Sequence, residues 1–294
     1  MQRMNWINAM ALAVGLASAG QGGLGIAPAY GESRVEQAAI LPQVQELVAA
    51  MRIGELAQVL QAEGEAYGVQ LKDEMFPDRS GSDWSAMVTR IYQADGLTEE
   101  FTRSLSAELA DKPEVAAKAQ AFFASPTGRK IIGLEIEARR AMLDDAAEEA
   151  AKEAFGAMEA KGAPRVDALR RFVAANDLVE MNVMGALNAN LAFYKGMSQG
   201  GAFTEGMTES DMLAEVWAQE DQVRQETEDW LWPYLALAYQ PLSDEEMQAY
   251  QVFSEAPEGR ALNAALFAAF DASFVRISGE LGRAVALMVQ GQDI

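Results

Sequence analysis

A short stretch punctuates this chain twice, and that punctuation limits what the rest can fold into. Phe122-Phe123-Ala124-Ser125-Pro126-Thr127-Gly128-Arg129 is echoed by Phe253-Ser254-Glu255-Ala256-Pro257-Glu258-Gly259-Arg260. In both, an aromatic is followed four residues later by Pro, then by any residue and Gly-Arg, and the copies lie 253 − 122 = 131 residues apart. That spacing is the size of a small domain. The residue before a proline is pushed out of α geometry, so a preceding helix must stop there. Ser125 is then a good N-cap for the next helix, and Pro126 falls at its first position, where a missing N–H costs nothing. Gly128 removes a side chain one turn in, where another backbone can approach. Ala256 stands where the first copy has Ser125, so the second helix start, through Pro257 and Gly259, is less well capped. Arg129 and Arg260 are expected to pair with acidic residues of a neighbouring helix or to grip a carboxylate ligand.

The segments around the two hinges are helical in pattern. Apolar residues recur at steps of three and four from about Val35 to Tyr67, with Pro42 suited to a helix start and Gly64 and Gly68 weakening the end. Phe76 to Asp83 is crowded with turn formers, and a helix restarts near Trp84. Thr98-Glu99-Glu100 reads as a capped start, and Asp111 with Pro113 opens the helix that carries Phe122 inward. After the hinge, Ile132, Ile136, Arg140, Leu143, Ala147, Ala150, Ala154 and Met158 predict one long helix, ended by Gly162 and Pro164. The second half answers with Phe172-Val173-Ala174-Ala175 for Leu47-Val48-Ala49-Ala50 and Ser210-Asp211 for Ser82-Asp83. Gly196 to Gly206 is its matching loop, Ser243 with Glu246 forms a capping box, and the last helix runs from Pro257 to about Met288. Alternating, β-branched segments are too brief for strands. The expectation is an all-α protein of two tandem helical repeats, 30–162 and 163–294, each ending in a short-helix/long-helix hairpin.

Phe122 to Gly128 also resembles the hallmark of a family of exported bacterial domains of unknown function, in which an aromatic pair and Ser-Pro-x-Gly mark a helix–helix junction. The resemblance covers roughly residues 95–160 and, more weakly because Ser is absent, 240–290. It implies a helical, secreted domain and supplies no catalytic residues.

The N-terminus points to export. Arg3 precedes an apolar run from Ile7 to Leu16, and Ala17-Ser18-Ala19 or Ala27-Pro28-Ala29 fits a signal-peptidase site. Residues 1–29 are therefore read as signal peptide and flexible lead-in, cleaved after 19 or 29. The apolar run is too short to span a bilayer and no comparable stretch is apparent after it, so the expectation is a soluble periplasmic protein without a membrane span. With 23 Lys and Arg against 44 Asp and Glu, the net charge of −21 repels nucleic acid and anionic lipid.

The chain has no Cys and no His, which removes thiol nucleophiles, the usual general base and the commonest metal ligands. Nothing calls for a cofactor or a metal: the acidic flank formed by Asp144, Asp145, Glu148, Glu149, Glu153 and Glu159 reads as a solvated face. Residues Asp78 to Asp83 lack the ligand pattern of a calcium loop, and Met181, Met184, Met197, Met207 and Met212 read as core rather than as a soft-metal site. Trp217, Trp230, Trp232 and Tyr234 concentrate aromatics in the second half, and Pro233 is expected to break regular helix among them. They are the candidate lining of a groove for an envelope protein or peptide. The leading expectation is a non-enzymatic binding module; a carboxylate-based hydrolase of envelope polymers and a cation or small-ligand carrier remain alternatives.

Overall fold

A computed structural model describes residues 39–77, 82–203 and 206–291. The expected leader and residues 78–81 of the turn-rich loop lie outside the described residues. Every regular element among those described is an α-helix, so the protein is all-α.

Helix α1 (Pro42–Ala50) opens on Pro42 as expected, but the helical pattern through residue 67 does not form one helix. Arg52 adopts a left-handed conformation (φ 54°) and separates α1 from α2 (Ile53–Met75). Asp177 does the same (φ 49°) between α8 (Pro164–Ala175) and α9 (Leu178–Gln199). These are the two non-glycine residues with positive φ among those described, a conformation costing roughly 1 kcal/mol or more without Gly. Helix α2 also continues through Gly64 and Gly68, which were expected to weaken it. Both glycines are seats for side chains: a Cβ at Gly64 would lie 2.1 Å from the Tyr92 ring, and one at Gly68 would lie 2.6 Å from Val88. Trp84, on α3 (Ser82–Ile91), donates its indole N–H to the Gly68 carbonyl at 2.7 Å.

Helix α4 (Ala94–Glu108) begins ahead of the expected start at Thr98. The Thr98 hydroxyl instead donates to the Ala94 carbonyl within the helix, at 2.8 Å. Helix α5 (Pro113–Phe123) leads to the first hinge, and α6 (Pro126–Ala141) follows it. The single long helix expected beyond the hinge is broken after Met142. Asp144 accepts from the backbone N–H groups of Ala146 (2.9 Å) and Ala147 (3.1 Å) and starts α7 (Asp145–Ala160). The break re-phases the buried stripe. Arg140 and Leu143 are exposed, Arg139 is only 1% exposed, and on α7 the buried side chains are Ala151 and Phe155.

In the second half, α10 (Glu209–Trp217) and α12 (Asp244–Glu255) each start with a capping box. Between them, α11 (Glu220–Tyr239) contains Pro233 in its interior without ending there. Pro233 cannot donate to the carbonyl of Asp229, an exposed residue four positions back, and the helix continues through the proline where a break was expected. Helix α13 (Pro257–Gln290) buries the whole expected stripe, Leu262, Leu266, Ala269, Ser273, Ile277, Leu281, Ala284 and Met288. It packs along α9 so closely that a Cβ at Gly196 would meet the Gly279 carbonyl at 2.2 Å, and one at Gly282 the Phe193 carbonyl at 2.2 Å. By length and composition α13 is apolar enough to cross a membrane, which the sequence pattern did not make apparent; 56% of its apolar window is buried against the rest of the fold. One cluster of buried side chains runs from Val44 to Met288, so the helices on both sides of residue 162 share a continuous core.

Candidate functional site

The first hinge has the local chemistry expected of it. Ser125 accepts from the Gly128 N–H at 3.1 Å, Pro126 is the first residue of α6, and a Cβ on Gly128 would lie 2.2 Å from the Phe122 carbonyl oxygen. At the second hinge Ala256 provides no side-chain cap, Pro257 begins α13 and Gly259 is buried. The arginines differ from expectation. Arg129 donates to the Ala124 carbonyl, and Arg260 Nε donates to the Glu255 carbonyl at 3.0 Å. Each guanidinium reaches back across its own hinge to the last turn of the preceding helix, where unpaired carbonyls and the negative dipole end favour a cation. The two hinges also meet. Phe122 and Phe253 stack with centroids 4.0 Å apart and planes 2° from parallel, and Phe123 meets Phe253 edge-on. Lys118–Glu258 and Lys130–Glu246 form ion pairs between α5 and α13 and between α6 and α12.

Beside this junction lies a buried ionisable cluster. Arg139 of α6 holds Glu63 of α2 bidentately, with both contacts at 2.7 Å, and its guanidinium lies 5.3 Å from the centre of the Trp230 ring. One turn earlier on α6, Glu135 Oε1 accepts from the Tyr239 hydroxyl at 2.7 Å and from the Tyr250 hydroxyl at 3.2 Å. The Tyr234 hydroxyl donates to the Glu135 backbone carbonyl at 3.3 Å. Burial pushes the Glu135 carboxyl up to about 7, against the downward pull of its two tyrosine donors. Burial also raises Glu63 despite Arg139, and it raises the Tyr234 and Tyr239 hydroxyls, helped by the Glu135 carboxylate. The cluster keeps its acid and base groups paired with one another inside the protein.

The aromatic residues expected to line a groove are not gathered on one surface. Trp230 and Tyr234 stack at 4.6 Å and are 4% and 2% exposed, inside the cluster. Trp232 is partly buried and stacks on Phe155 of α7 at 6.1 Å. Trp217 ends α10 with 42% of its surface exposed. The expectation of a shared groove therefore gives way to two interior residues, one bridging residue and one surface residue. Of the methionines read as core, Met197 and Met212 are buried while Met184 is exposed. The acidic flank of α7 faces solvent, with Lys152 paired to Glu148 and Glu149. Among the described residues, no group of three or more His, Cys, Asp or Glu is placed to hold a metal ion. A small apolar cavity lies between α2, α4 and α13, lined by Leu56, Leu60, Phe101, Phe270 and Phe274.

Glu63, Glu135 and Arg139 did not stand out in the sequence. The available signal was the placement of Glu135 and Arg139, four residues apart, among Ile131, Ile132, Ile136 and Ala138, a charged pair on an otherwise apolar face.

Residues 97–156 match the bacterial family described as "uncharacterized protein conserved in bacteria (DUF2059)". The matched segment runs from within α4 through the first hinge and α6 into α7, and so contains Glu135 and Arg139. No curated protein and no solved structure matches the chain.

Proposed function

We propose that this protein is an exported, soluble helical scaffold of the bacterial envelope that binds a protein or peptide and carries out no chemistry. The observation that carries this reading is the closure of the ionisable cluster. A hydrolytic carboxyl has to reach a substrate, whereas Glu135 is occupied by Tyr239 and Tyr250 and Arg139 by Glu63. Export rests on the Arg3 n-region, the apolar run and the Ala-x-Ala-like sites. The burial of α13 in the core supports the reading without a membrane span. A cationic partner fits the net charge of −21. Trp217 is the anchor offered to it, an exposed indole on a helix that also carries Glu209, Asp211 and Glu215.

The chain is further read as two tandem copies of one helical unit, 30–162 and 163–294. Three correspondences support this. Left-handed Arg52 and Asp177 stand at equivalent helix junctions, Arg129 and Arg260 reach back to equivalent carbonyls, and Phe122 stacks on its counterpart Phe253.

The test is fractionation of native cells with sequencing of the mature N-terminus, followed by mild crosslinking with wild-type and Trp217→Ala protein. The expected result is a periplasmic chain cleaved after Ala19 or Ala29, with a stoichiometric basic partner that W217A captures poorly. A chain retaining residues 1–19 would overturn the export reading. Capture that W217A leaves unchanged would overturn the assigned anchor, and recovery of the chain alone would overturn the binding role.

A further inference from the structure

We propose that Glu135 and the three tyrosines around it form a pH-responsive clasp between the two halves of the fold. The carboxyl comes from α6 in the first half, and all three hydroxyls come from α11 and α12 in the second, 99 to 115 residues away along the chain. The clasp thus spans a boundary that local helix formation does not hold.

The surroundings decide which protonation state the clasp favours. On α6 itself the neighbouring charge is Arg139, which is engaged bidentately by Glu63 of α2. Tyr92, which follows α3, lies within the electrostatic reach of Glu63. Helix α11 contributes Tyr234 and Tyr239, and α12 contributes Tyr250. Phe172 of α8 closes the tyrosine side, with its ring 5.6 Å from Tyr239 and 4.9 Å from Tyr250. Phe122 of α5 also stacks against Tyr250, at 5.8 Å. Among the described residues, Glu135 therefore faces neutral hydroxyl donors backed by aromatic rings, while Arg139, the cation one turn along its own helix, is engaged by Glu63. In that setting a neutral carboxyl is accommodated readily and an ionised one poorly. The upward displacement of its titration to about 7 agrees with the geometry. As pH rises from acidic to neutral and above, the packing of α6 against α11 and α12 weakens. This mechanism is independent of what the protein binds.

The experiment is amide hydrogen exchange on the full mature chain, comparing wild type with Glu135→Gln, a neutral isostere, at each pH from 5 to 8. Intrinsic exchange chemistry and the effects of the other acidic residues cancel in the ratio. Protection of α6, α11 and α12 in wild type relative to E135Q is expected to fall about a hundredfold across that range. A ratio constant with pH would overturn the proposal. A second variant keeps the test sound if E135Q does not fold. Tyr250→Phe removes a donor that favours the anion, so its protection should continue falling to higher pH than in wild type. A Y250F profile superimposable on wild type would equally overturn the clasp.

Discussion

Helix α13 packs on α4, and α6 packs on α11, yet the two contacts are built from different materials. At the first, Phe101 and Phe270 meet with centroids 4.4 Å apart, and the ion pair between Arg276 and Glu100 sits at the edge, partly open to water. At the second, Arg139, Glu63, Trp230, Tyr234 and Glu135 fill the interior. Counting 131 residues on from Glu135 and Arg139 arrives at Leu266 and Phe270, so the polar contact stands where the other has two apolar side chains. An apolar contact draws its stability from area removed from water and depends little on any single partner. A buried ionic contact recovers its desolvation cost only while every partner stays in place.

The sharpest way to break this comparison is to remove one partner from each side. Arg139→Met leaves Glu63, whose side chain is 11% exposed, without its cation and is expected to cost about 3 kcal/mol in urea unfolding at pH 7. Phe270→Ala should cost a similar amount, about 3–5 kcal/mol, through lost transfer energy and a cavity. Rescue separates the two mechanisms. Adding Glu63→Gln to R139M should restore most of the loss, because the orphaned charge is gone, while no polar change near Phe101 rescues F270A. If E63Q gives no recovery, the Arg139 contribution is the stacking of its guanidinium on Trp230, and the contrast between the two contacts narrows.

The polar side also carries a pH signature that the apolar side lacks. Glu135 titrates near 7 in the fold, against about 4.5 for an ordinary glutamate. The folded state therefore holds this proton over a range where the unfolded state has lost it. The resulting stability is fully present below about pH 4.5, falls as pH rises, and is gone above about 7, a total of roughly 3 kcal/mol. Equilibrium unfolding of wild type minus E135Q across pH 4 to 8 reads this difference directly, and a flat difference would place Glu135 in a less confined site.

A smaller comparison sets two glycines against each other. Gly128→Ala pushes a methyl into the Phe122 carbonyl and the Phe123 backbone and should destabilise by about 1–3 kcal/mol. Gly156→Ala, exposed on α7 with nothing within 4 Å of its Cβ, should gain up to about 1 kcal/mol from helix propensity. Thermal unfolding distinguishes them by sign, and a neutral G128A would mean that α5 and α6 can separate at the hinge without loss.

What could be read from the sequence follows from the range of the interactions. Ser125, Pro126 and Gly128 act within a few residues of themselves, and their chemistry was visible in the linear order. The all-α character was legible for the same reason, since spacings of three and four report one helix at a time. The break at Asp144 was hidden because the apolar spacing carries straight across it, from Ile136 to Met158. Only the capping bonds of Asp144 and the burial of Arg139 in place of Arg140 expose the change of phase. Left-handed Arg52 and Asp177 gave no signal, because neither is glycine, the residue that ordinarily marks such a junction. Glu135 was lost among 44 acidic residues, and the tyrosines that single it out lie about a hundred residues further along. Pro233 was overread: its local rule is correct, but α11 carries the proline in its interior without ending there.

The two hinges offer the smallest and most direct refinement of the comparison between halves. Ser125 and Ala256 have nearly the same backbone, φ −69° and ψ 162° against φ −67° and ψ 152°. A serine at 256 would therefore be held ready to accept from the Gly259 N–H, as Ser125 accepts from Gly128. Ser125→Ala should cost about 1 kcal/mol, and Ala256→Ser should gain up to about the same, each shifting the thermal midpoint by roughly 2–4 °C. Opposite shifts of similar size would mean that the starts of α6 and α13 differ only in one hydroxyl and are otherwise interchangeable. A loss at 125 without a gain at 256 would mean that the start of α13 is already held by the stacked Phe253 and by Arg260, so that the second hinge has replaced a local cap with tertiary contacts.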